Sequence, residues 1–233
     1  MNSSSVAFQP IINAQITNNY NVYDVYKALG NDEIKKICDA DRLPFAVCLL
    51  NVVGCPNIGS MVRSALILGA EKIVVIGRRK FDRRPTVGAH HYIDIEYIQT
   101  DYDPDNYIDP DWFYEYMGSQ NYDPIIAELG GTDVSVFDWS QSYSNNKKAC
   151  IVMGNESFGI PQNLLADHRT KLISIKQRGV LRSMNVSNAG AILFHSISQY
   201  LDKWKIKNTH PDSFIVSCLD ACVKSPSDKC IKY

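Results

Sequence analysis

The sequence predicts an α/β domain: a mostly parallel sheet flanked by helices. Three observations carry that reading. Short β-rich apolar runs recur along the chain, FAVCLLNVV at 45–53 and KIVVIG at 72–77 among them, of the kind that form strands buried on both faces. Stretches with helical apolar spacing stand between them, and Gly, Pro and Asn mark the junctions. Strands that alternate with helices pair in parallel through helical crossovers.

In chain order, residues 22–38 read as a polar, irregularly amphipathic opening helix. The first strand, 45–53, is broken by Gly54-Cys55-Pro56, and Asn57 suits the N-cap of the next helix. Ile58, Met61, Val62, Ala65 and Leu66 recur there at helical spacing until Gly69 closes it. Residues 72–77 and 93–98 are the next strands, and 107–117 a helix flanked by Asp-Pro pairs. Strands at 124–129 and 148–153 follow, the first leading into Gly130-Gly131 and the second into Gly154. A short helix begins near Pro161, placed at its first helical position. The last strand is 171–175, and the final long helix runs over 185–203 with Ala189, Leu193, Ile197 and Leu201 on one face. This divides the chain into an N-terminal helical extension (1–42), a main domain (43–204) and a C-terminal tail (205–233) with a small helix at 212–223.

With 233 residues, 45% hydrophobic and 21% charged, the chain has an ordinary globular composition and a core large enough to need no disulfide or structural metal. No apolar run approaches the roughly 20 residues of a membrane span. No basic residue precedes Lys27, so no secretory signal is expected. An odd count of seven cysteines then favours reduced thiols and a cytoplasmic location. A net charge of −1 excludes a wholly basic nucleic-acid coat, yet Arg78, Arg79, Lys80, Arg83 and Arg84 lie within seven residues, a candidate local polyanion site.

Several motifs fail on inspection. Gly54-Cys-Pro-Asn-Ile-Gly59 sits where a dinucleotide loop would, but Pro56 replaces the middle glycine that lets a pyrophosphate approach. Asn155-Glu-Ser157-Phe-Gly159 resembles a nucleophile elbow without its first glycine. His210, Cys218, Cys222 and Cys230 lack any C-x-x-C pair, so metal is not expected. His90-His91 has no partner at i+4 and reads as a loop or core pair.

Three polar clusters remain, at strand-to-helix junctions where an α/β sheet places its ligands. They are Asn57 to Arg63, Met153 to Ile160, and Gly179 to Ser187. Arg63 stands in an otherwise apolar helical stripe, which is costly unless an anion pairs with it. Taken together in this order, the clusters resemble the three signature motifs of the SPOUT superfamily, specifically its SpoU/TrmH branch of RNA ribose 2′-O-methyltransferases. Pro56, Asn57, Gly59 and Arg63 supply the first motif; Gly154, Asn155, Glu156, Gly159 and Ile160 the second; Ile175, Gly179, Ser183, Asn185, Val186 and Ser187 the third. The similarity spans about residues 44–202. Lys176 stands where the branch usually has proline, and Met184 where it usually has leucine.

The resemblance implies a parallel α/β fold with a C-terminal deep trefoil knot, S-adenosylmethionine as cofactor, and a homodimer packed through the knot region. It implies cofactor contacts at Gly154, Ile175 and Met184, and catalytic roles for Arg63, Asn57, Glu156, Ser183 and Asn185. In that branch the arginine matching Arg63 is most often assigned the hydroxyl proton, but a guanidinium is a poor base, so Arg63 is expected instead to clamp a phosphate and stabilise the emerging alkoxide. Asn57 would hold Arg63, Ser183 and Asn185 would fix the ribose hydroxyl, and Glu156 would orient the loop or Asn57. A 2′-hydroxyl acceptor makes RNA the substrate, tRNA favoured over rRNA. Arg78, Arg79, Arg83, Arg84, Arg178 and Arg182 are the candidate phosphate contacts. The small residues 189–191 suit a close helix contact, at a dimer interface or against the helix's own sheet. Two other readings are a non-catalytic knotted module that binds RNA or the cofactor, and a knotted enzyme acting on a base. The intact polar set disfavours the first, and Arg63 with the Ser-Met-Asn triplet the second.

Overall fold

The computed structural model describes residues 21–77, 81–99, 107–143 and 146–208. Its frame is a six-stranded, all-parallel sheet in the order β3-β2-β1-β5-β4-β6, formed by β1 (Leu43–Leu50), β2 (Ala70–Ile76), β3 (Asp94–Ile98), β4 (Tyr122–Asp133), β5 (Lys148–Met153) and β6 (Lys171–Ser174). The central β1 and β5 are buried on both faces, which is why they read as unbroken apolar runs. Alternate residues feed two cores. Phe45, Val47 and Leu49 face one side with Ile151 and Met153; Ala46, Cys48 and Leu50 face the other with Cys150 and Val152.

The helices are α1 (Asn31–Ala40), α2 (Cys55–Ile67), α3 (Pro110–Ser119), α4 (Ser140–Tyr143), α5 (Gln162–Leu165) and α6 (Val186–Asn208). α2 and α6 pack on the first core and α3 on the second. Their contact is close because Gly190 of α6 has no side chain: a Cβ there would lie 3.3 Å from the Met61 sulfur. Gly190 of the small-residue stretch thus serves packing within one chain.

Several boundaries differ from the sequence expectation. α1 starts at Asn31, nine residues later than expected, because Gly30 caps it and its backbone N–H donates to Glu33. α2 starts at Cys55 with Gly54 as N-cap, so Asn57 lies inside the first turn. Pro161 is the N-cap of α5 instead of its first helical residue. α4 went unread; its four residues give no periodicity. The expected 212–223 helix lies outside the described residues.

β4 runs past the expected strand end and engages β6 twice. Ile173 is the register partner of both Ala127 and Thr132. The register shifts between Ala127 and Thr132, and residues 128–131 cross against the β6 backbone between the two paired segments. Gly131 makes the crossing possible. A Cβ there would stand 2.7 Å from the Leu172 carbonyl carbon and 2.8 Å from the Ile173 nitrogen. The Ser174 hydroxyl donates to the Gly131 carbonyl at 2.7 Å and pins the crossing.

Candidate active site

The strand-to-helix turn after β1 and the turn after β5 lie side by side because their strands are neighbours, with Leu49 opposite Met153. From the second turn Glu156 reaches back to the first. Its carboxylate accepts from the Val53 N–H (3.0 Å), the Gly54 N–H (2.9 Å) and the Asn57 side-chain amide (2.9 Å). The anion therefore sits where the start of α2 presents unpaired N–H groups and a positive dipole end. Burial raises its carboxyl pKa, but the bonds from Asn57 and the two backbone groups outweigh it and hold it below the ordinary glutamate value.

That anchor sets the orientation of every amide beyond it. With its NH2 turned to Glu156, Asn57 offers its oxygen to the Asn185 NH2 at 3.1 Å. Asn185 must then turn its own oxygen to the start of α6, where it accepts from the Ser187 N–H (3.0 Å), the Asn188 N–H (3.4 Å) and the Ser187 hydroxyl (2.7 Å). The result is a one-way relay: Ser187 to Asn185 to Asn57 to Glu156. It spans residues 99 and 128 apart in sequence.

The turn carrying Glu156 is itself rigid. Asn155 and Gly159 exchange both backbone hydrogen bonds, at 3.0 and 2.9 Å. The Asn155 side chain accepts from the Ser157 and Phe158 N–H groups and donates to the Asn51 carbonyl. Asn155 is 8% exposed, a buried polar residue with its bonds satisfied. An open groove of about 450 Å³ runs past this turn, lined by Val53, Gly54, Asn57, Asn155, Glu156, Ser157 and Phe158.

The other expected residues are less tightly gathered. Arg63 is half-buried in α2, and among the described residues its side chain forms no hydrogen bond or ion pair. It lies about 9 Å further along α2 than Asn57 and about 120° round. The side-chain bonds of Asn57 run to Glu156 and Asn185 instead. Arg63 shares a helix face with Gly59, four residues earlier. That face receives the 3₁₀ turn Arg84–Thr86; a Cβ at Gly59 would come within 2.5 Å of the Pro85 Cβ. Ser183 is exposed, two residues before Asn185. Gly154 is buried, Ile175 half-buried just beyond β6, and Met184 39% exposed. Arg178, Arg182 and Arg83 are exposed, while Arg84 is paired with Asp82. Arg78 and Arg79 lie outside the described residues.

Sequence reading gave no role to Glu128, Ser187 or Phe158. Glu128 stands at the start of the crossing, accepting from the Leu129 N–H at 2.9 Å and more distantly, at 3.5 Å, from the Ile160 N–H. Only the crossing brings it to the Gly154–Ile160 turn, so no local signal could mark it. Among the described residues no cluster of His, Cys, Asp or Glu could hold a metal ion, and no helix is long and apolar enough to cross a membrane.

An all-parallel sheet whose polar relay joins three loops at strand carboxyl ends defines an α/β protein with a ligand-binding site at that end. A profile of the SpoU rRNA Methylase family matches residues 44–195, well over half of the 233, and the chain belongs to that family. Over 146 residues it is 30% identical to the tRNA (guanosine(18)-2′-O)-methyltransferase of Saccharomyces cerevisiae, covering 60% of this chain and 9% of that protein. It is 27% identical over 161 residues to the human mitochondrial rRNA methyltransferase 1, covering 60% of this chain and 41% of that one. The chain thus spans less than half of either relative. Among solved structures it resembles the TrmH/SpoU tRNA modifying enzyme of A. aeolicus (TM-score 0.58, 19% identity, 83% of this chain and 94% of that one). It also resembles the SpoU methyltransferase AviRb from Streptomyces viridochromogenes in complex with AdoMet (TM-score 0.53, 20% identity, 69% and 58%). At these identities the structural likeness establishes the fold.

Proposed function

We propose that this chain transfers a methyl group from S-adenosylmethionine to a ribose 2′-hydroxyl of a structured RNA, with tRNA favoured over rRNA. The observation that carries the reading is the relay from Glu156 through Asn57 to Asn185, which ties together the three segments holding the family motifs. The lean to tRNA rests on the name of the yeast relative, the more similar of the two described.

The residues present fit the cofactor. S-Adenosylmethionine supplies an electrophilic methyl on a sulfonium and needs apolar walls with a few oxygen acceptors. Gly154, Ile175 and Met184 would hold it, and Glu128, whose Oε2 accepts one long bond from Ile160, has acceptor capacity to spare.

A guanidinium is a poor base, so the role of Arg63 is to clamp the phosphate beside the target ribose and stabilise the oxygen as its proton leaves to water. Ser183 and Asn185 position the hydroxyl. Glu156 has both oxygens occupied by three donors and acts by orienting Asn57, not as a proton acceptor. The crossing of 128–131 over β6 supports a threaded C-terminal segment, the deep trefoil knot; pairing of two copies through that region rests on the family resemblance.

Incubation with labelled S-adenosylmethionine and separate tRNA and rRNA fractions, followed by nucleoside analysis, tests the reading. A 2′-O-methylated nucleoside is expected; a base-methylated product, or none, overturns it. Arg63→Ala should lower turnover by roughly 10²–10³-fold, the cost of losing one preorganised charge-stabilising group. Near-normal turnover in Arg63→Lys would rule out bidentate clamping.

A further inference from the structure

Phe158 is 65% exposed although it sits in one of the most tightly organised turns of the protein. Its N–H is held by the Asn155 side chain at 3.0 Å, inside the paired backbone bonds of Asn155 and Gly159. The ring is therefore presented from a fixed base at the groove that holds Asn57 and Glu156. Val53, 52% exposed, is the other apolar side chain lining that groove; amide, hydroxyl and carboxylate groups supply the rest. Two exposed apolar side chains lining one groove beside a polar relay, one of them a ring on a pinned turn, offer a contact surface for something that binds.

The chemistry of the groove selects the occupant. A ribose brought to Asn185 and Asn57 carries its base one glycosidic bond away, within the span of the same groove. That nucleotide has left its own stack in the RNA, and an aromatic side chain replaces the lost stacking. The Glu156 carboxylate disfavours phosphate inside the groove, whereas the exposed Arg178 and Arg182 both precede Asn185 in the same loop and suit the backbone outside it. Resting on the methyltransferase reading above, we propose that Phe158 is the platform on which the base of the target nucleotide stacks, a substrate-positioning residue with no part in methyl transfer itself. Stacking needs only a π face, so the platform fixes where the base lies without choosing among bases.

The test compares Phe158→Ala, Phe158→Leu and Phe158→Trp in the full chain. Affinity is measured by fluorescence anisotropy with labelled total tRNA in the presence of S-adenosylhomocysteine, alongside calorimetric S-adenosylhomocysteine affinity and sedimenting mass. Loss of one base–aromatic stack should weaken RNA binding about 5- to 150-fold in the alanine variant. Leucine should fail to restore it and tryptophan should restore it, with cofactor-product affinity and mass unchanged. Wild-type affinity in Phe158→Ala, or rescue by leucine, overturns the proposal. So does a loss accompanied by a change in mass, which would assign the ring to contact with a second copy of the chain. Should the wild-type protein transfer no methyl to any RNA, the functional reading falls first; should it transfer normally while Phe158→Ala binds RNA unimpaired, only the platform falls.

Discussion

Replacing Glu156 by glutamine removes one negative charge and turns one acceptor into a donor. The amide oxygen, placed where Oε1 now lies, still accepts from the Gly54 N–H and the Asn57 amide; the new NH2 faces the Val53 N–H, whose bond is lost. Hydrogen bonds to a charged acceptor contribute about 1.5–3 kcal/mol and neutral ones about 0.5–1.5. At the lower ends, exchanging three bonds to a charged acceptor for two to a neutral one costs about 3.5 kcal/mol, and solvent screening at the exposed Glu156 reduces this to about 1–2 kcal/mol. For a domain of this size that lowers the unfolding midpoint by about 2–8 °C. Asn57 is also no longer held in one orientation, so kcat should fall at least roughly tenfold with little change in RNA KM. The sign of the pH dependence follows from the depressed carboxyl pKa. Its contribution is present above the ordinary glutamate value of about 4.5 and is lost as pH falls through the lower folded value. Thermal scans of wild type and Glu156→Gln should therefore differ at pH 6–8 and converge in acid. A variant that melts with wild type at pH 7 and turns over normally would refute the relay.

Three further outcomes follow from the same geometry. Asn185→Asp keeps the acceptor that caps α6, so stability should hold within about 0.5 kcal/mol, but it sets oxygen against the Asn57 oxygen; methyl transfer should fall while the melting curve stays put. Gly131→Ala drives a methyl group into the β6 backbone and should cost about 1–3 kcal/mol or more, seen as a lowered denaturant midpoint; an unchanged midpoint would contradict the crossing. Arg178→Ala and Arg182→Ala should each reduce the slope of log affinity against log salt by about one in RNA titrations, if each contacts one phosphate.

Most of the frame was legible in the chain. Two-faced burial leaves unbroken apolar runs, so β1, β2 and β5 announced themselves, and their alternation with α2 and α6 implied parallel pairing. Glu156, Asn57 and Asn185 could be singled out by motif, because their residue types and spacing survive without coordinates. What each one does could not. Asn57 reads locally as an N-cap, and only the neighbouring position of β1 and β5 brings in Glu156 to take over the start of α2 and free the Asn57 oxygen for Asn185. Local propensity senses only a few residues either way, whereas the relay joins positions more than ninety apart. The same limit hid the second engagement of β4 with β6: Gly130-Gly131 looks like any loop until the strand it crosses is in place. Composition and periodicity determined which segments pair and which are buried; the packing of one turn against another decided which polar groups are spent holding the fold and which remain for chemistry.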